Sequence, residues 1–482
     1  MTPAIIIITI LAYFATILAI SWFTGRKADN AGFFSGNRKQ SWYVVAFAMI
    51  GSAMSGVTFV SVPGMVAASG FGYMQMTLGF IAGQLVIAFV LVPLFYKMNL
   101  VSIYGYLENR FGISSYRTGA WFFFISKMLG ASVRLYLVCI ALQLMVFTPL
   151  GVPFYVNVLV TVLVLLAYTY RGGVKAVIWI DFLKTFCMLV SIILCTIFIS
   201  KALGFTFGSM CQAVADSGMS RIFYFDDPDH PQYFFKQFFG GMFTLIAMTG
   251  LDQDMMQRSL SCRNVKDSQK NIITSALLQT VVIFLFLVLG VLLYLFAGTY
   301  RIPEAAGDRL FPAVATSGLL PAVCGILFVL GLVSCSYAAG GSALTALTTS
   351  FTVDILGTKG RTETETKTLR QRVHIIMAAC MGLTIIVFSL LNNTSAIDAV
   401  YKLASYTYGP ILGMFAFGIL TRRVVRDGCV PWVSIAAPLL CLVLQLNSER
   451  WFGGYQFSYE LLIFNALFTM LGLLACSRQG KA

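Results

Sequence analysis

Charge is scarce in this chain. Only 11% of its 482 residues are Asp, Glu, Lys or Arg, where a soluble domain carries about 25%. Long polar stretches are missing as well, which leaves no room for a separate soluble domain. There are two histidines, His230 and His374, neither near a candidate nucleophile or ligand cluster, so an imidazole-based catalytic or metal centre has little to build on. The eleven cysteines are scattered without a C-x-x-C pair. They read as small apolar packing residues rather than as a disulfide or metal framework.

What is abundant is apolar side chain, at 58% of the sequence. Runs long enough to span a bilayer recur from end to end. The expected architecture is an all-α polytopic membrane protein of about 13 transmembrane helices in one transmembrane domain over 1–482. The first segment, 4–22, lacks a basic leader and a cleavage site, and reads as a retained helix.

A net charge of +14 would suggest nucleic acid if it were clustered on a soluble face, but its placement points to a lipid bilayer. With the N-terminus outside, the alternate connections and adjoining helix ends hold 23 of the 33 Lys and Arg, and the opposite side holds six. The positive-inside rule then puts the C-terminus in the cytoplasm, as an odd number of spans requires, in a membrane expected to be the bacterial inner membrane.

Four bases are left inside the spans: Lys127, Arg134, Lys184 and Lys402. Ionisable residues at bilayer depth mark functional sites by default. Lys184 lies three residues after Asp181, on one helical face, so the two are expected to pair. Lys402 lies four residues after Asp398, and Lys127 reads as a similar surface pair or a side chain reaching for the headgroups. Arg134 sits mid-span. Its guanidinium fork matches a carboxylate, so it is either an anchor for an anionic substrate or half of a structural pair. Asp252 and Asp254, with Arg258 and Arg263 nearby, read as an interfacial ion network.

Two spans look interrupted. One contains Gly51-Ser-Ala-Met-Ser-Gly and Pro63-Gly64, the other Gly240-Gly and Thr249-Gly. Discontinuous helices expose carbonyls at mid-membrane, where transporters bind solutes and ions. Ser342, Thr345 and Thr349 recur along one face of a later span, either as cation ligands or as hydroxyls bonding helix backbone.

Six segments occur in order: Met54-Ser-Gly with Val62-Pro-Gly, Tyr104-Gly-Tyr-Leu-Glu-Asn-Arg-Phe-Gly, Gly172-Gly-Val-Lys-Ala-Val-Ile-Trp-Ile-Asp, Asp252-Gln-Asp-Met-Met-Gln-Arg, Ser350-Phe-Thr-Val-Asp-Ile and Tyr408-Gly-Pro-Ile-Leu-Gly. Together they resemble the sodium/solute symporter family, which includes bacterial sialic acid, galactose and proline symporters. The resemblance implies a LeuT-like five-plus-five inverted-repeat core. Its leading helix would be 4–22, repeat one about 42–200, repeat two about 234–420, and the trailing helices about 429–476. It implies a secondary active transporter and not an enzyme, with sodium as the ion to expect.

Carried over, the common sodium site uses carbonyls of Gly51 and Met54 and two hydroxyl residues. Those two positions are Ala338 and Ala339 here, so both hydroxyls are missing. A second sodium site would look to Asp181 and to hydroxyls near Ser342, with Thr345 on the same face. Lys184 stands where the family usually has Gln. Either it places a fixed cation where sodium would sit, or it only neutralises Asp181. Arg134 lies 47 residues before Asp181, as does a carboxylate-binding Arg in sialic acid symporters. Ser55 and Thr58 fall on hydroxyl contacts of those proteins, Thr77 replaces an amide, and Tyr73 completes the candidate set. The implied substrate is a small organic anion, sialic acid or another sugar acid ahead of a short monocarboxylate. A sodium-independent carrier of a neutral sugar or amino acid is the alternative, and a membrane-embedded enzyme a remote one.

Overall fold

The computed structural model describes residues 3–25, 40–100, 102–303, 305–358, 360–391, 396–452, 455, 457 and 459–479. Nine helices among them are long and apolar enough to cross a membrane, and two bent pairs make broken spans. Two shorter apolar stretches, Phe154–Tyr170 and Leu461–Ala475, occupy the remaining expected segments.

In chain order the helices that matter are α1 (Pro3–Gly25), α2 (Trp42–Ala53), α3 (Gly56–Gly64), α4 (Tyr73–Val86), α5 (Ile113–Leu142), α6 (Phe154–Ala202), α7 (Phe234–Leu245), α8 (Gln253–Ser259), α9 (Val265–Thr299), α10 (Ala322–Ser350), α11 (Glu363–Leu391), α12 (Ala396–Leu420), α13 (Val430–Leu446) and α14 (Leu461–Ala475). Residues 171–173, a short polar interruption between two apolar runs of the sequence, are continuous helix within α6.

α2 and α3 form the first broken span, bent by 61°. Met54, in extended conformation, ends α2, and the Ser55 amide then donates to Thr58 Oγ1 at 3.3 Å. A hydroxyl thus satisfies an amide that the chain reversal takes out of the helix ladder. The second break bends by 73°. There α7 loosens into a π-turn over Ile246–Gly250, and Asp252 restarts the helix by accepting from the Met255 amide at 3.1 Å. The second break falls after the glycine cluster, at Leu251–Asp252.

Small residues bring the helices together. A Cβ on Gly79 of α4 would lie 2.1 Å from the Phe238 carbonyl of α7, a close approach of the kind that drives helix association in lipid. At the start of α5, Asp427 accepts from the amides of Ser114 and Ser115, both at 2.8 Å. The Arg110 side chain reaches the carbonyls of Gly418, Thr421 and Arg423. One short antiparallel ribbon, Val424–Val425 with Ser477–Arg478, closes the same region.

Candidate functional site

Between the two breaks lies a cavity of about 1340 Å³, its open mouth included. α3 contributes Thr58, α4 Tyr73, α5 Arg134 and α10 Ala339 and Ser342; Met54 and Ser55 line it from the first break. Of the expected solute contacts, Ser55, Thr58, Tyr73 and Arg134 therefore meet at one cavity. Thr77 does not. It is 1% exposed, and its hydroxyl donates to the Tyr73 carbonyl at 3.0 Å, because it lies one helical turn on and faces inward.

Arg134 is half-buried at the cavity wall and makes no hydrogen bond or ion pair with the described residues. The structural-pair alternative finds no partner for it there.

Asp181 and Lys184 are both fully buried, but they do not bond to each other as expected. Asp181 Oδ2 accepts from Ser52 Oγ of α2 at 2.8 Å and from Arg258 Nε of α8 at 3.1 Å. Lys184 Nζ has no hydrogen-bond partner among the described residues, and neither has Asp181 Oδ1. Reach explains the divergence. The short aspartate stays near its own helix and is met there by Arg258. The long lysine crosses to the end of α2, where a Cβ on Gly51 would lie 3.5 Å from Lys184 Cδ. That helix end carries the negative end of the helix dipole, which favours a cation. Gly51 itself packs so closely on α6 that a Cβ would lie 2.9 Å from the Asp181 carbonyl.

Arg258 is the residue that sequence reasoning misplaced. It is 1% exposed and belongs to a buried cluster, not to an interface. Its Nη1 lies 2.8 Å from Asp254 Oδ1, and its Nη2 donates to Ser342 Oγ. Ser342 in turn donates to Asp254 at 2.7 Å. Lys127, expected to form a surface pair or to reach for the headgroups, is buried and bridges Asp254 at 2.7 Å and Asp252 at 3.0 Å. Tyr408 of α12 donates to Asp252 as well. Arg263 is exposed and outside the cluster. The i,i+4 spacing of Asp254 and Arg258 was the available signal. The side chain of Asp398 lies outside the described residues, so the Lys402 pair does too.

The residues expected to hold sodium do not fit it. Ala338 and Ala339 offer no oxygen from their side chains, and Ala338 is buried away from the cavity lining. At the second position Asp181 and Ser342 are both engaged by Arg258, and Thr345 donates to its own helix at the Gly341 carbonyl. Gly51 and Met54 retain carbonyls, but Lys184 runs past that end of the helix.

Residues 33–435 match the sodium:solute symporter family. The chain belongs to that family. It is therefore a membrane transporter of the secondary active kind, not an enzyme. The sodium/sialic acid symporter NanT of Aliivibrio fischeri is 26% identical over 90% of this chain and 86% of its own length. The sodium-dependent multivitamin transporter of Oryctolagus cuniculus is 26% identical over 84% of this chain, which spans only 63% of that relative. Among solved structures, a substrate-bound, outward-open Na+-coupled sialic acid symporter superposes with a TM-score of 0.83 at 17% identity, covering 99% of each chain. At that identity the superposition speaks for the fold.

Proposed function

We propose that this symporter imports a small organic anion, a sialic acid or another sugar acid, by alternating access across a bacterial inner membrane, with its N-terminus outside and C-terminus in the cytoplasm. The observation that carries the reading is the electrostatic balance at the cavity. Lys127, Asp252 and Asp254 on its wall, with Asp181, Lys184 and Arg258 buried outside the lining, set three cations against three carboxylates. Arg134 is left over. An unpaired guanidinium at bilayer depth is costly until an anion meets it. Ser55, Thr58 and Tyr73 supply neutral contacts to the rest of the solute. The experiment is equilibrium binding of N-acetylneuraminate to purified protein. Arg134→Ala is expected to abolish saturable binding. A solute whose affinity survives that change would overturn the assignment.

The same balance bears on coupling. Without Lys184 the cluster would carry one net negative charge and would recruit a cation. Lys184 supplies that charge covalently, beside the Gly51 end of α2. We read it as a built-in substitute for a bound sodium, so that transport is sodium-independent, either proton-coupled or uncoupled. Uptake into proteoliposomes is expected to proceed equally with and without a sodium gradient; strong sodium dependence sinks the idea. Lys184→Gln combined with Ala338→Ser and Ala339→Ser is expected to gain sodium dependence.

A further inference from the structure

α5 brings four residues to the cavity at helical spacing: Lys127, Gly130, Ala131 and Arg134. Positions i, i+3, i+4 and i+7 fall on one face. Seven residues at the α-helical rise separate the Cα atoms of Lys127 and Arg134 by about 10 Å. Between the two cations the wall is low. A Cβ on Gly130 would meet nothing within 4 Å, and Ala131 adds a single methyl. The face is a trough with a polar pole at each end.

The poles differ in kind. Arg134 is an unpaired cation, suited to a carboxylate. At the other end the Lys127 ammonium is held between Asp252 and Asp254, and all three side chains line the cavity. Ser126 stands beside them and accepts from Thr407 Oγ1 at 2.7 Å. Two carboxylates there repel a second anionic group. A hydroxyl suits the place, because it can donate to a carboxylate and accept from an ammonium at once.

We infer that Lys127, Asp252 and Asp254 form a second substrate subsite, reading the hydroxyl tail of an elongated acid, and that Gly130 keeps the path to it open. The transporter therefore selects a polyhydroxylated acid long enough to touch both poles. It discriminates against short monocarboxylates, which reach only one, and against dicarboxylates, which place a charge beside Asp254. The inference rests on Arg134 as the carboxylate anchor.

Binding to purified protein tests it with N-acetylneuraminate, lactate and succinate against the wild type, the series Gly130→Ala, Gly130→Val and Gly130→Leu, and Arg134→Ala. The wild type is expected to bind N-acetylneuraminate at least about tenfold more tightly than lactate or succinate, since only the longer acid reaches the Lys127, Asp252 and Asp254 groups with its hydroxyls. Along the Gly130 series the affinity for N-acetylneuraminate is expected to fall with side-chain volume while that for lactate stays within about twofold, because an added side chain there occupies the path and not the anchor. Lactate or succinate binding the wild type as tightly as N-acetylneuraminate would overturn the subsite, and that measurement needs no variant. So would equal losses of both ligands along the series. If Arg134→Ala leaves all three affinities unchanged, the anion reading itself fails, whatever Gly130 does.

Discussion

The two broken spans share a backbone device and differ in chemistry. At the first break the chain between α2 and α3 offers carbonyls and the hydroxyls of Ser52, Ser55 and Thr58, with no charge of its own. A buried cation set against its α2 end, Lys184, is lent by α6. At the second break α8 carries Asp252, Asp254 and Arg258, and neighbouring helices complete a closed network around them. The second break is thus held by paired charges, each with a partner to lose. The first is held by close packing and by an ammonium that has no hydrogen-bond partner among the described residues.

That contrast can be tested by stability. Arg258→Leu should have the largest effect. It takes the ion-pair partner from buried Asp181 and leaves Asp254 with Lys127 alone, which costs about 3–5 kcal/mol and should appear as a large fall in the thermal midpoint of detergent-purified protein. An unchanged midpoint would mean that the network holds nothing together. Gly51→Ala comes next, since its new methyl would crowd Thr185 and the Asp181 carbonyl. Overpacking of this kind costs about 1–3 kcal/mol, read by the same melt. Thr185→Val removes the bond from Thr185 Oγ1 to the Phe47 carbonyl, 3.0 Å long. It should cost about 1 kcal/mol by loosening α2 from α6. In sodium-containing buffer Lys184→Gln should move the midpoint least, although Lys184 is as deeply buried as Asp181, because its side chain has no hydrogen bond to forfeit among the described residues and a recruited cation can replace its charge. A drop as large as that of Arg258→Leu would show that Lys184 is bonded in the working protein and would erase the contrast between the breaks.

The membrane fold was legible because its signals are local. Apolar runs define the spans, and the Gly51–Ser55 cluster marks where one helix fails, whereas the second break falls just beyond the Gly240–Gly250 cluster. Arg134 stood out because a base in mid-span is rare. The wiring of the cluster was not legible, because it joins residues far apart in sequence. Asp181 and Arg258 are 77 residues apart and Lys127 and Asp252 are 125 apart. Helical spacing correctly placed Asp181 and Lys184 on one face but says nothing about side-chain length or about a third residue arriving from another helix. Thr77 failed for a related reason. The position is conspicuous by alignment with the family, yet its rotation about α4 points it at its own backbone.

Asp427 has a mechanical consequence. By holding the first amides of α5, it rivets that helix to the connection between α12 and α13. Arg110 adds three further bolts to the same stretch of chain. Lys127 and Arg134 are therefore mounted on a beam whose N-terminal end is clamped to α12, the helix that also carries Tyr408. Any rocking of α8 against that beam must be taken up at the Lys127 carboxylate contacts, the one charged joint between the two parts among the described residues.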